Sequence, residues 1–187
     1  MLNVKIEGKT YEIKNSVEEF SIGEFETICS ILNEDKKTKI NKWFEIFVYL
    51  GIPEDVVDNF DSFAFIQLIN EYNINEFTPN DFTKEIIING YTYVSYDEEF
   101  KLTVKEMGMI ESVVTNKNND KYLADILAVI FKRTDLTKSE HFDKAHIKFK
   151  ADLFRKKITA DVAMPFLGFL SKRLINNAED IKTELNG

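Results

Sequence analysis

The chain opens on alternating apolar and polar residues, Leu2-Asn3-Val4-Lys5-Ile6, and resumes the alternation at Tyr11-Glu12-Ile13. Period-two patterning on both sides of Glu7-Gly8 predicts a β-hairpin with its turn there. The period then lengthens. Ile22, Phe25, Ile28, Cys29 and Leu32 recur at three and four residues, which predicts a helix from Ile22 to Leu32. Ser21 and Glu24 stand at capping-box spacing before it, with Phe20 and Phe25 at hydrophobic-staple spacing around the cap. A second helix follows from about Lys39 to Leu50, with Gly51 and Pro53 as stop signals. A third runs from Pro53-Glu54-Asp55 to about Tyr72. Val56, Val57, Phe60, Phe63, Phe65, Ile66, Leu68 and Ile69 make it apolar around much of its girth, so it is expected to be sandwiched or used in an assembly contact.

The same order of patterns returns 82 residues later. Val4, Ile6, Gly8, Thr10 and Tyr11 align with Ile86, Ile88, Gly90, Thr92 and Tyr93. Ser21, Ile22, Glu24, Phe25 and Ile28 align with Thr103, Val104, Glu106, Met107 and Ile110. Thr103 and Glu106 form a second capping box, and Leu102 and Met107 a second staple. After a slip of one residue, Ile40, Trp43, Phe44 and Phe47 align with Leu123, Ile126, Leu127 and Ile130. A glycine, a Thr-Tyr pair and a capping box in one register predict a tandem duplication. The fold expectation is therefore α+β: two tandem ββαα-like repeats, helix-rich with short β-hairpins. The first unit is assigned to 1–76 and the second to 84–187, joined by a turn-rich linker at 73–83 that holds Pro79-Asn80-Asp81. The second unit carries an insertion at 132–158. A last helix opens at Thr159 or Asp161, where Pro165 is expected to kink it or delay its start. The polar tail from Asn176 is expected to fray.

Charge sharpens this outline. Residues 1–83 carry net −9, residues 84–187 net +1, and the insertion alone net +5. Unlike halves attract, within a chain or between copies. The insertion mixes cations with Phe149 and Phe154 at helical spacing, which reads as an amphipathic segment that docks on a protein rather than a nucleic-acid stripe. The apolar content supports a packed core, no apolar run is long enough to span a bilayer, and no signal peptide is evident at the N-terminus. A single cysteine, Cys29, excludes an internal disulfide and reads as a packing residue.

Candidate chemistry is sparse. No Gly-rich phosphate loop, HExxH, CxxC or GxSxG is present. His141 and His146 lie five apart, which does not place two ligands on one helix face, and both read as exposed loop residues. The acidic pairs Glu18-Glu19, Asp97-Glu98-Glu99 and Asp58/Asp61 fall in linkers and caps. No catalytic residue, metal site or cofactor is expected. The residues singled out are the helix caps Ser21, Glu24, Thr103 and Glu106. The aromatic contact candidates are Trp43, Phe63, Phe65, Phe149, Phe154 and Phe166.

A hairpin with x-G-x-x-Y, the helix starts Phe20-Ser-Ile-Gly-Glu-Phe25 and Leu102-Thr-Val-Lys-Glu-Met107, and the stretches Leu123–Arg133 and Ile158–Leu170 together resemble a family. It is a loose group of small tandem-repeat structural and assembly proteins of tailed bacteriophages, of the tail or baseplate-module type found in crAss-like phages. The likeness spans about residues 2–175; members carry Tyr-Arg-Pro where this chain has Lys132-Arg133-Thr134. It implies a non-enzymatic virion protein of the neck, tail or baseplate, present in several copies and touching other phage structural proteins. Such a protein would reside in the virion, or in the host cytoplasm during assembly, with no membrane or nucleic-acid partner. Two alternatives stand beside it: an assembly chaperone that leaves the mature particle, and an acidic decoy for a host nucleic-acid-binding protein.

Overall fold

Two residues of positive φ turn each hairpin. In the first they are Glu7 (φ 49°) and Gly8 (φ 81°), in the second Asn89 (φ 53°) and Gly90 (φ 80°). This is the two-residue turn whose twist matches that of the flanking strands, and glycine takes its second position without steric cost. The computed structural model in which these turns are seen describes residues 1–72, 83–95, 102–115 and 121–166. Strands β1 (Leu2–Ile6) and β2 (Lys9–Ile13) pair antiparallel with Ile6 opposite Lys9. Strands β3 (Glu85–Ile88) and β4 (Tyr91–Val94) pair with Ile88 opposite Tyr91, the same register displaced by 82 residues.

Each hairpin leads to a capped helix. Helix α1 spans Ile22–Leu32, followed by α2 (Lys39–Tyr49), α3 (Glu54–Asp58) and α4 (Ser62–Glu71). In the second unit α5 spans Val104–Val114 and α6 Leu123–Ile130, then β5 (Lys132–Arg133), α7 (Lys138–His141) and α8 (Lys144–Lys157). Helix α9 begins at residue 160 and is described to 166. The fold is α+β, with the ββαα order present in both units and α1 and α5 of equal length. Both expected capping boxes form. The Ser21 hydroxyl accepts from the Glu24 N–H and Glu24 accepts from the Ser21 N–H at 2.8 Å; Thr103 and Glu106 repeat the exchange at 3.3 and 2.6 Å.

The structure departs from the sequence reading in places. The single helix expected over residues 53–72 is two helices, because the Asp61 carboxylate accepts from the N–H groups of Phe63 and Ala64 and starts a new helix there. Helix α4 buries one face and leaves Phe63 and Ile66 outside, while α6 is buried at every residue except Asp125. The basic insertion, read as an amphipathic segment that docks on a protein, packs within its own chain. Its α8 lies along α6 and places Ala151 and Phe154 in the core. Helix α9 starts ahead of Pro165, so the proline does not delay it.

The core has two main parts. Val4, Ile13, Phe47, Ile52, Phe65, Leu68 and Tyr72 pack together in the first unit. The second part gathers Tyr93, Ile110, α6, Phe154 and Phe166. Ile22 of the first unit belongs to the second part, so the start of α1 is shared. There the Ile22 N–H donates to the Ile158 carbonyl and the Ala160 N–H to the Phe20 carbonyl, both at 2.9 Å, in a short bridge between Ser21 and Thr159. Most of the linker, the Asp97-Glu98-Glu99 run and the tail from Asn176 lie outside the described residues.

Candidate functional site

The aromatic contact candidates separate into two groups. Phe65, Phe154 and Phe166, named above as contact candidates, are buried in the core. Phe65 meets Phe47 edge-on with ring centres 5.6 Å apart. Phe154 and Phe166 both stack against Phe131, at 6.1 and 5.3 Å. Trp43 is half-buried, its ring 5.8 Å from Phe47 and 5.5 Å from Tyr72. Phe63 and Phe149 are the two that remain outside, 68% and 61% exposed. Asp61 caps α4 so that Phe63 and Ile66 share its outer face, while Phe65, Leu68 and Ile69 fill the inner one.

The buried polar groups are committed to joining elements. Glu26, on the apolar side of α1, is 4% exposed. Its carboxylate accepts from the N–H groups of Leu123 (2.7 Å) and Ala124 (3.3 Å), so it caps α6 from a distance. Tyr122, at the cap position of α6, makes no side-chain cap. Arg155 of α8 donates to the other Glu26 oxygen at 3.0 Å, to Asp125 and Asp152 at 3.0 and 3.1 Å, and to the Lys121 carbonyl at 3.2 Å. Burial opposes the Arg155 charge, but Glu26, Asp125 and Asp152 outweigh it and hold its pKa above the ordinary value. Gly23 permits this junction. A β-carbon there would stand 2.7 Å from Arg155 Cγ and 3.1 Å from its carbonyl oxygen.

The two capping glutamates carry a second partner each. Lys14 Nζ lies 2.8 Å from Glu24, and Lys132 Nζ lies 2.8 Å from Glu106, whose side chain is fully buried. Burial pushes the Glu24 pKa up, but the Lys14 ammonium and the cap N–H prevail and lower it. Cys29 is half-buried, and burial together with the Glu26 charge pushes its thiol pKa up, away from nucleophilic reactivity.

The histidines are not exposed loop residues. His141 is buried at the end of α7, and His146 is half-buried in the first turn of α8. Burial lowers both pKa values, and Lys150 lowers them further. Lys150 is 1% exposed and donates to the Phe131 carbonyl at 2.7 Å. Its burial, with Lys132 and Arg133 near, pushes its pKa down to about 8. Among the described residues no group of three or more His, Cys, Asp or Glu is placed to hold a metal ion. None of their helices is long and apolar enough to cross a membrane.

Glu26, Arg155 and Lys150 escape a reading by motif. Their signal is charge on an apolar stripe: Glu26 lies between Ile22 and Ile28, and Lys150 between Ile147 and Phe154. Comparison with protein families, curated proteins and solved structures finds no match.

Proposed function

We propose that this chain is a non-catalytic structural protein of a tailed-bacteriophage particle, a neck, tail or baseplate component that works through protein–protein contacts. The observation that carries the reading is the outer face of α4. Phe63 and Ile66 stand one turn apart, 68% and 48% exposed, on a helix whose inner face is fully packed. Aromatic and aliphatic side chains grouped on a surface are characteristic of the centre of a contact patch. Phe149 on α8 offers a second apolar point at 61% exposure. The most deeply buried charges, Glu26, Glu106 and Lys150, each bind a neighbouring element rather than converge on an open cleft. That use of polar groups belongs to a building block.

The test is a double variant, Phe63→Asp with Ile66→Asp, carried in the genome of the phage that encodes the chain. Particle yield should fall by roughly tenfold or more, as expected for loss of an interface anchor. The purified variant should keep its circular dichroism and unfolding midpoint. A normal yield from a folded double variant would overturn the proposal.

A further inference from the structure

The two units fold alike but differ at one sheet edge. In the second unit β4 pairs on both sides, with β3 and with β5, so the sheet has three strands. Among the described residues of the first unit, β2 pairs with β1 alone. The cause is visible in the chain. Helix α6 stops at Ile130, and Phe131 (ψ 126°) turns the backbone into an extended course that delivers Lys132 and Arg133 to β4. The aligned residues of the first unit are Tyr49 and Leu50, which continue and close α2. The first unit therefore has no strand of its own for the equivalent edge among the described residues.

The pairing register shows which groups face that edge. In a hairpin with a two-residue turn, the pair flanking the turn exchanges hydrogen bonds, and the next residue of each strand points its N–H and C=O outward. On β4 the outward residue is Thr92, whose carbonyl accepts from the Thr134 N–H at 3.0 Å. The aligned residue on β2 is Thr10, and the next outward residue is Glu12. Both are exposed. Beyond them the Lys14 carbonyl accepts from the Tyr72 hydroxyl at 2.6 Å, which ends the available edge. Ile13 and Val4 are anchored in the core, so the hairpin is a fixed platform.

We infer that the outer edge of β2 accepts an antiparallel strand from another protein, an extended segment bearing lysine or arginine. The second unit shows the form of the occupant, because its own β5 fills the matching slot. Charge sets the occupant's chemistry. Lys132 of β5 lies opposite Val94, and the residue aligned with Val94 is Glu12. A cation opposite Glu12 is favoured by a cross-strand ion pair, and the net −9 of residues 1–83 attracts the same sign. This inference goes beyond the α4 contact and does not depend on it, since it concerns a different face of the first unit.

The probe is a synthetic peptide copying residues 131–136, Phe-Lys-Arg-Thr-Asp-Leu, added to the full chain, with amide exchange followed by NMR. Saturating millimolar peptide should slow exchange at the Thr10 and Glu12 amides by roughly tenfold or more. A peptide carrying Lys132→Asp should bind about two- to five-fold more weakly, the weight of one cross-strand charge pair. Glu12→Lys in the protein should reverse that preference while leaving the fold intact. No change at these amides with millimolar peptide would overturn the inference. So would protection already present in the dilute free chain, which would mean that its own residues cover the edge. Protection that grows with protein concentration without peptide would assign the edge to a second copy, and would also overturn it.

Discussion

Replacing Glu26 with alanine should cost the fold about 3 kcal/mol. The side chain caps two N–H groups of α6, and losing such a cap costs up to about 2 kcal/mol. Leu123 and Ala124 are buried, so their freed N–H groups find no water, which lifts the loss above the usual cap range to about 3 kcal/mol. Arg155 limits the loss. It keeps Asp125, Asp152 and the Lys121 carbonyl, so it does not become the uncompensated buried charge whose cost reaches about 3–5 kcal/mol. Glu26→Gln retains an acceptor for the α6 cap but loses the charge assistance, which is about half of such a bond, and should cost about half as much. Urea unfolding would measure both. The midpoint should fall with an unchanged slope, because the surface exposed on unfolding is the same. For a chain of this size the alanine variant should melt about 6–12 °C lower. If Glu26→Ala lies within about 0.5 kcal/mol of the parent, the ordinary range for surface substitutions, the junction does not hold the units together as argued.

Three further outcomes are expected. Lys150 binds fewer protons folded than unfolded between its folded pKa of about 8 and the ordinary 10.5, so its contribution makes stability rise with pH across that window. The charged form costs the fold about 3 kcal/mol below pH 8, and Lys150→Met should remove this slope in pH-dependent unfolding; an identical slope would exclude Lys150 as its source. Gly23→Ala should destabilise by about 1–2 kcal/mol, because overpacking against Arg155 exceeds the roughly 1 kcal/mol gained in helix propensity. Gly108→Ala in α5 meets nothing within 4 Å and should stabilise by about 0.5–1 kcal/mol, so calorimetry of the pair must give opposite signs. Phe149→Asp should weaken association in crosslinking while leaving circular dichroism unchanged, and unaltered crosslinking would remove Phe149 from the contact.

What the sequence discloses is local. Glu7-Gly8 and Asn89-Gly90 mark their turns by residue type, and the capping boxes mark the starts of α1 and α5, because each of these devices acts over three or four residues. The break between α3 and α4 is hidden because apolar residues run on both sides of it, and the polar residues Asp58, Asn59, Asp61 and Ser62 that mark it also fit the solvent face of one long helix. The insertion misleads by composition. Lys144, Lys148, Lys156 and Lys157 lie in solvent, but Ile147, Lys150, Ala151, Phe154 and Ile158 form one stripe against α6, and a lysine inside that stripe disguises it. The Glu26–Arg155 pair spans 129 residues, and no single sequence carries a signal for so distant a contact.

The account rests on a passive building block retained in an assembled particle. For the proposed phage role the most direct measurement is quantitative mass spectrometry of purified phage particles, with the chain scaled against the major tail protein. The account predicts a fixed ratio of several copies per particle. Absence from finished particles, with the chain abundant in the infected-cell lysate, would contradict it and assign the role to a chaperone that departs before completion.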